Sequence, residues 1–297
     1  MAFQDLEYIF YEIMMMCSHK AIELNQILLF KLFIKHWAAI YIKDKAWNTA
    51  LHKATICGHH NIVRLLLKKL GDHRAMINCR NYSGQTALDI AIINGNYPCV
   101  ILLIQGGAEI NPIATSNDSE FPLYLAVKAG NLEIVKLLIK NGANLKAKYS
   151  NDRTALHMAV TYGRAKDANR ICEILLKNGV NVDSKNKELQ NTALHLEVRK
   201  GNDKCNEEII QTILNFGANT ELTNKYTLKP FEYAIVKGNS KAVKVLVENG
   251  LYSSKTRRLE YFDVNCNALE IALKNKQHGI KNSHNVIKTM LYGMSKN

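Results

Sequence analysis

A pattern of about ten residues recurs along the chain, and it constrains the fold more than any other feature of the sequence. Copies of this pattern begin at Thr49, Thr86, Phe121, Thr154, Thr192, Lys229 and Asn267. Successive copies lie 37, 35, 33, 38, 37 and 38 residues apart. A unit of this size cannot bury its own apolar face, so neighbouring units must stack on one another. The repeat therefore predicts a solenoid.

The residues within one copy predict a pair of helices. Threonine stands where a helix N-cap belongs, and Pro122 and Pro230 occupy the next position, where the first turn tolerates a missing N–H. A Leu-x-x-Ala spacing gives a narrow apolar stripe on the first helix. We expect left-handed glycines to end the first helices at Gly58, Gly95, Gly130, Gly163, Gly201 and Gly238. A second helix such as 134–139 follows, and the loop to the next copy is long enough for a hairpin-like finger.

Five segments carry a resemblance to a known family. TALHKA, TALDIA, TALHMA, GNLEIVKLLIKNGANL and GNSKAVKVLVENG resemble the ankyrin-repeat family, over about residues 44–290. The resemblance implies an all-α solenoid of stacked helix-turn-helix units with hairpin-like fingers. It also implies a curved array that binds other proteins, although the motif encodes packing and identifies no partner.

The repeat alignment divides the chain into a central array and two caps. Residues 1–43 form the expected N-terminal cap with a divergent half-repeat, and residues 262–297 form a degenerate seventh repeat and C-terminal cap. Six repeats fill 44–266, at about 44–80, 81–115, 116–148, 149–186, 187–223 and 224–261.

The most apolar run of the chain lies in the N-terminal cap, from Ile27 to Ile42. It is about 16 residues long and contains Lys31, Lys35 and His36, so it is too short and too charged to span a bilayer. We expect a buried helix, with a membrane-surface helix as the alternative. The first residues contain acids and no basic n-region, which argues against a secretory signal.

The seven cysteines are scattered, odd in number and without CxxC spacing, which favours a reducing compartment over a disulfide framework. We therefore expect a cytoplasmic protein, or one delivered into the cytoplasm or nucleus of a host cell. The net charge of +13 favours acidic partners. Because the lysines are spread along the chain, solvated faces explain most of this excess, and binding of nucleic acid or an anionic membrane is the alternative function.

Two irregularities stand out in repeats four and five. Gly163 to Ile171 and Gly201 to Ile209 each span eight residues, against four from Gly130 to Ile134. Four extra residues equal about one helical turn, so we predict second helices that begin one turn early and form a ridge opposite the fingers. Length variation in a surface turn is the alternative.

The second irregularity is Glu197, which stands where the other copies carry alanine. A carboxylate at a helix interface is costly unless it is paired. We expect it to pair with Arg199, Lys200 or the inserted turn, and we assign it no catalytic role.

Histidines and cysteines that could serve in catalysis or metal binding are better explained by their positions in the repeat. No HExxH, GxSxG, GxxxxGK[ST] or helix-opening GxGxxG motif is present. His52, His157 and His195 share one slot of the repeat, where we expect bonds to neighbouring loop backbone. The Cys57-Gly58-His59-His60 run has metal-ligand types, but the alignment places it in a surface turn. We therefore expect no catalytic site, no metal and no cofactor.

Exposed variable positions are expected on the fingers and at the ends of the first helices. The candidate partner-binding residues are Trp47, Ile56, Tyr82, Gln85, Ile93, Asn117, Asp118, Arg153, Tyr162, Leu189, Arg199, Lys200, Lys225, Tyr226 and Lys237. The early members are apolar and aromatic, whereas the late ones are basic. This change predicts a partner with a hydrophobic anchor and an acidic segment. The alternative is that these groups only cover neighbouring repeats.

Together these features predict a non-enzymatic, monomeric protein-interaction module. The chain is rich in lysine, asparagine and isoleucine, which is the codon bias of an AT-rich genome. Composition and analogy thus favour a host-directed effector of an intracellular bacterium or a virus. A nucleic-acid role is not expected, because no module of that kind is recognisable.

Overall fold

The computed structural model describes residues 13–14, 16–35, 38–112, 121–162, 167–251, 257–259, 264–266, 272–273, 276–277 and 283–294. These residues fall into two compact units, which divide between Asn144 and Leu145. Each unit is described separately below.

The described elements are helical apart from one short antiparallel ladder. Residues 16–23 are helical, and the first unit continues with α1 Ile27–Phe33, α2 Ala38–Tyr41, α3 Ala50–Ile56, α4 His60–Leu70, α5 Arg74–Ile77, α6 Ala87–Ile93, α7 Tyr97–Gln105, α8 Pro122–Ala129 and α9 Leu132–Lys140. The second unit contains a 3₁₀ turn Ser150–Asp152, α10 Ala155–Thr161, α11 Ala168–Lys177, α12 Ala193–Val198, α13 Glu207–Asn215, α14 Pro230–Val236, α15 Ser240–Glu248, β1 Arg257–Leu259, β2 Val264–Cys266 and α16 Ser283–Met294.

The helices pack as the repeat predicts. In the first unit each first helix (α3, α6, α8) contacts its own second helix (α4, α7, α9) and the first helix of the adjacent repeat. In the second unit α10, α12 and α14 pair with α11, α13 and α15 in the same way, and α16 packs on α15. The core is built from the Leu-x-x-Ala stripe and the aliphatic face of the second helices, including Leu51, Ala54, Ile62 and Leu66. The expected all-α repeat architecture is therefore confirmed.

The first helices begin where the sequence places them. Thr49, Thr86 and Thr192 are N-caps whose hydroxyl oxygens accept a backbone N–H of the first turn, at 3.5, 3.2 and 3.4 Å. Pro122 and Pro230 occupy the first helical position. These caps satisfy amides that have no partner inside the helix.

The glycines that follow the first helices mostly behave as predicted. Gly58, Gly95, Gly130 and Gly238 have φ values of 73°, 65°, 70° and 64°, a region that favours glycine. The expectation for Gly201 is wrong, because it is not among the residues with positive φ. There the chain runs on into the inserted turn, and the Gly201 carbonyl accepts the N–H groups of Lys204 and Cys205. Gly163 lies outside the described residues.

The predicted early start of the second helices in repeats four and five is also wrong. In repeat five α13 begins at Glu207, two residues before Ile209, just as α9 begins at Leu132, two residues before Ile134. In repeat four α11 begins at Ala168, only one residue earlier in the same register. The extra residues of repeat five form a turn before the helix. Asn206 then caps α13, and its side-chain oxygen accepts the N–H groups of Glu208 and Ile209.

The apolar run 27–42 does not form the single buried helix that we expected. Helix α1 ends at Phe33 and α2 begins at Ala38. Phe30 is fully buried, whereas Leu28 is 78% exposed. Phe30 is the buried residue of α1, and Leu29 and Leu32 are exposed as well. No helix among the described residues has both the length and the apolar character needed to cross a membrane.

The insertion after repeat six contains the ladder. Strands β1 and β2 are antiparallel, with Arg257 opposite Cys266 and Leu259 opposite Val264. The backbone of this segment is therefore paired in a short ladder.

Candidate partner-binding surface

The fingers before the first helices are built by an Asx turn. In finger one the Asp44 carboxylate accepts the N–H groups of Ala46 and Asn48 at 2.9 and 2.8 Å. Asn81, Asn186 and Asn224 hold fingers two, five and six in the same way. Such a side chain replaces backbone partners within a turn. Sequence reasoning missed these four residues, although each stands five or six residues before the N-cap of its first helix.

Adjacent fingers are joined through their backbones. The Tyr82 N–H donates to the Ala46 carbonyl at 3.0 Å, and the Lys225 N–H donates to the Leu189 carbonyl at 2.8 Å. These bonds hold the side chains at neighbouring finger tips side by side within each unit.

The repeated histidines tie each first helix to the following finger. Nδ1 of His52, His157 and His195 accepts the N–H of the N-cap threonine, at 3.2, 3.1 and 3.4 Å. Their Nε2–H groups donate to the carbonyls of Gln85, Asn191 and Leu228, at 3.1, 3.0 and 3.0 Å.

The predicted role of the histidine slot is therefore confirmed. Burial lowers the pKa of His52 and of His157, and it lowers the pKa of His195 to about 4. These imidazoles remain neutral at pH 7 and act in packing the repeats.

In the first unit, the finger residues form an aromatic cluster. Trp47 and Tyr82 are stacked with ring centroids 4.9 Å apart, and Lys43 Nζ lies 4.8 Å from the Trp47 ring centroid. Trp47 remains 48% exposed and Tyr82 69% exposed. The two rings thus cover one another and still present apolar surface to solvent.

Two isoleucines extend the exposed apolar side chains of this unit. Ile56 and Ile93 end α3 and α6, and each is 44% exposed. Gln85 is half-buried, and its carbonyl is the acceptor for His52. The other two candidates expected nearby, Asn117 and Asp118, lie outside the described residues.

In the second unit, the predicted contact residues Arg153 and Lys200 form intramolecular ion pairs. Arg153 Nη2 lies 3.6 Å from Glu188 Oε2 of the next finger. Lys200 Nζ lies 2.7 Å from Glu197 Oε2, and the lysine side chain is mostly buried. We therefore remove Lys200 from the exposed basic group, because its charge is used within the fold.

Glu197 is paired as the sequence predicted. Its side chain is 0% exposed, and its Oε1 accepts the Asn206 N–H at 2.7 Å while Oε2 faces Lys200. Burial raises the pKa of Glu197, and the Lys200 ammonium and the Asn206 N–H oppose this rise. The carboxylate thus connects helix α12 to the inserted turn.

The remaining candidates of the second unit stay accessible. Arg199 and Lys237 are the C-cap residues of α12 and α14, and both are exposed. Lys225 and Tyr226 are exposed on finger six, and Leu189 is half-buried on finger five. Tyr162, at the end of α10, is 39% exposed.

The run from Cys57 to His60 forms the turn that the alignment predicts. Gly58 is left-handed, His60 begins α4, and His59 Nε2 lies 3.5 Å from the Glu23 carbonyl oxygen. Burial raises the pKa of the Cys57 thiol. Within the described ranges no group of three or more His, Cys, Asp or Glu side chains is placed to hold a metal ion.

Comparison with known proteins agrees with this geometry. The family model described as "Ankyrin repeats (3 copies)" matches residues 18–114, 112–186 and 165–258. The chain is 31% identical over 158 residues to the transient receptor potential cation channel subfamily A member 1 homolog of Caenorhabditis elegans, covering 53% of this chain and 12% of that protein. It is 32% identical over 131 residues to the mouse B-cell lymphoma 3 protein homolog, covering 43% of this chain and 29% of that protein.

A solved structure is similar over most of the chain. The ankyrin repeat domain of human ASB11 superposes with a TM-score of 0.59 at 25% identity, covering 73% of this chain and 90% of that domain. By contrast, the chain matches less than a third of the length of the two curated relatives named above.

Proposed function

Because this chain belongs to the ankyrin-repeat family, we propose that it is a non-enzymatic module that binds a partner protein through its fingers and the exposed ends of its first helices. Ankyrin repeats are in general interaction scaffolds, and the exposed variable residues of a scaffold determine its partner. We further propose that six repeats fill residues 44–266 between two caps, and that the protein is a monomer that uses no cofactor.

One observation carries the proposal. Large apolar and aromatic side chains are exposed together on the fingers and helix ends of the first unit, led by the Trp47–Tyr82 stack. Aromatic residues of this kind provide much of the binding energy of protein interfaces. The exposed cations on the corresponding positions of the second unit supply a different chemistry. The partner would therefore carry a hydrophobic anchor and an acidic segment.

The cellular setting is part of the same proposal. Scattered cysteines without disulfide spacing favour a reducing compartment, and we assign the protein to a cytoplasm. The lysine-, asparagine- and isoleucine-rich composition supports an intracellular bacterium or a virus as its source. In that setting the partner would be a host protein.

The test is affinity capture from a host-cell lysate with a paired variant. We expect Trp47→Ala with Tyr82→Ala to retain at least tenfold less of the captured partner than the wild type, since hot-spot truncation costs about 2 kcal/mol or more. Tyr97→Ala is the matched control, because Tyr97 is exposed on a second helix of the same unit. Equal capture by the double variant and the control would show that the hydrophobic anchor lies elsewhere.

The rival function is binding of nucleic acid or an anionic membrane through the net charge of +13. Binding of this kind weakens steeply as salt concentration rises, because it depends on counterion release. A partner complex that persists from low to physiological salt supports the protein-interaction proposal. Tight, salt-sensitive binding to generic DNA or anionic vesicles would favour the rival.

A further inference from the structure

A cleft of about 400 Å³ opens in the second unit between finger five, finger six and the ends of helices α12 and α14. Five of its seven lining residues are apolar or aromatic, although polar atoms make up more of its exposed surface than carbon atoms do. Leu189 lines the cleft from finger five, and Tyr226 and Leu228 line it from finger six. Tyr233 and Val236 line it from helix α14. The volume lies within the range of protein sites that enclose a small ligand or side chain.

Hydrogen bonds hold the walls of this cleft in place. The Lys225 N–H donates to the Leu189 carbonyl at 2.8 Å, which joins the two fingers. His195 Nε2–H donates to the Leu228 carbonyl at 3.0 Å, which joins α12 to finger six. Because these bonds are already present in the unbound chain, a ligand would lose little free energy in ordering the cleft.

Two cations stand at the rim of the cleft. Arg199 and Lys237 are exposed, and among the described residues neither side chain has a carboxylate partner. Lys237 Nζ lies 5.7 Å from the Tyr233 ring centroid, so its charge is held above the aromatic wall. The lining contains no acidic residue among those described. Since both cations also sit at helix C-termini, they stabilise the helix dipoles as well, and the test must separate the two roles.

We propose that this cleft binds an acidic peptide segment of the partner protein, with one apolar side chain inserted between fingers five and six and its neighbouring carboxylates on Arg199 and Lys237. The proposal rests on the proposed function and adds a requirement to it: acidic residues alone are insufficient, and an apolar residue must stand beside them. Carboxylates form charge-assisted hydrogen bonds with arginine and lysine, while the apolar side chain is removed from water in the interior.

Nucleic acid fits this cleft less well. A phosphate backbone would use the two cations, but the lining holds no further cation to follow the strand. Apolar and aromatic lining residues beside two cations at the rim instead match a peptide that carries both chemistries.

The experiment measures fluorescence anisotropy with the full chain and synthetic ten-residue peptides. The main probe alternates pairs of acidic residues with leucine or phenylalanine and has an amidated C-terminus. In one comparator amides replace the carboxylates, and in a second serine replaces the apolar residues. A third comparator carries internal amides and a free C-terminal carboxylate, and a labelled oligo(dT) tests nucleic acid.

Two double variants test the position of binding. We expect Arg199→Gln with Lys237→Gln to weaken binding of the main probe at least tenfold. Lys241→Gln with Lys244→Gln removes the same charge from the exposed side of α15 and should change binding less than twofold. Tyr226→Ala should weaken binding about fivefold. Thermal melting of each variant checks that loss of helix-dipole stabilisation does not account for the result.

The ligand is expected to need both its carboxylates and its apolar side chain. Binding of the main probe at least fivefold tighter than binding of the amide and serine comparators supports the proposal. Equal weakening by the two double variants, equal binding of the serine comparator, or tighter binding of oligo(dT) would overturn it. Tightest binding by the free C-terminal carboxylate would place the source of the charge at a chain end and overturn the internal acidic segment.

These outcomes are separate from those of the proposed function. If lysate capture still depends on Trp47 and Tyr82 while the main probe fails to bind, the ligand assigned to the cleft is wrong and the protein-interaction function stands.

Discussion

Glu197 occupies a position where the other repeats carry alanine, and its surroundings explain why a carboxylate is held there. Lys200 provides the opposite charge, and the Asn206 N–H provides a second donor nine residues further along the chain. From the sequence, Arg199, Lys200 and the inserted turn are all possible partners of Glu197. In the structure Glu197 pairs with Lys200 and with the turn, so its carboxylate attaches the inserted turn to α12.

The first prediction concerns this carboxylate. Although Glu197→Ala restores the residue found in the other repeats, we expect it to lower the free energy of unfolding by about 2–4 kcal/mol, because it leaves Lys200 and Asn206 without their acceptor. Lys200→Met should destabilise the chain at least as much at pH 7, since it leaves a buried charge unpaired. Urea denaturation followed by circular dichroism measures both changes.

Two further variants make this prediction specific. Lys204→Met alters an exposed lysine of the same turn and should change stability by less than about 0.5 kcal/mol. The double variant Glu197→Ala with Lys200→Met should be more stable than Lys200→Met alone. Unchanged stability in Glu197→Ala would show that the carboxylate holds nothing in place.

At the scale of the element, the finger is the part of the repeat that side chains build. Its two sides are too short to be stable as an isolated hairpin, and the Asx turn supplies the missing bonds. Asn81 illustrates this, because its Oδ1 accepts the N–H groups of Ser83 and Gln85 at 3.0 Å each. Its Nδ2 also donates to Asn48 Oδ1 of finger one at 3.0 Å.

The second prediction tests this role of the finger. We expect Asn81→Ala to lower the free energy of unfolding by about 1–2 kcal/mol and to increase hydrogen exchange at the amides of Ser83 and Gln85. Ser83→Ala, in the same exposed tip, should leave both quantities close to those of the wild type. Slow exchange at these amides in Asn81→Ala would contradict a finger that depends on its asparagine.

At the scale of the whole molecule, buried neutral histidines couple stability to pH in both units. His52 belongs to the first unit, and His157 and His195 to the second. All three have a pKa lowered by burial, so the unfolded chain binds protons more readily than the folded chain. Stability is therefore fully present above the ordinary histidine pKa near 6.5 and is lost as pH falls toward the folded-state values.

The third prediction follows from this linkage. For His195, a folded-state pKa of about 4 implies a loss on the order of 2 kcal/mol between pH 7 and pH 5. We expect the melting temperature of the wild type to fall over this range. Replacing all three histidines with glutamine, which can serve the same helix-capping position, should at least halve that fall.

Two other groups bear on the measurement. His19 is also buried, and burial lowers its pKa. Because His19 is still present in the triple variant, part of the pH dependence of stability should remain there. Glu197 acts in the opposite direction, because its raised pKa favours the folded state as pH falls. His60→Gln is the control, since that side chain is exposed. An unchanged pH dependence in the triple variant would contradict the assignment to the repeated slot.

The sequence by itself determined the repeat, the starts of its first helices and the role of the histidine slot. Each of these depends on residues within one turn or one period, such as Thr49 with His52, and local chemistry decides them. Only the tertiary structure decided where the extra residues of repeat five go, and that Leu189, Tyr226 and Lys237 share a cleft. The physical reason is that these arrangements join residues from different repeats, or from both ends of an insertion, whose spacing in the sequence carries no periodic signal.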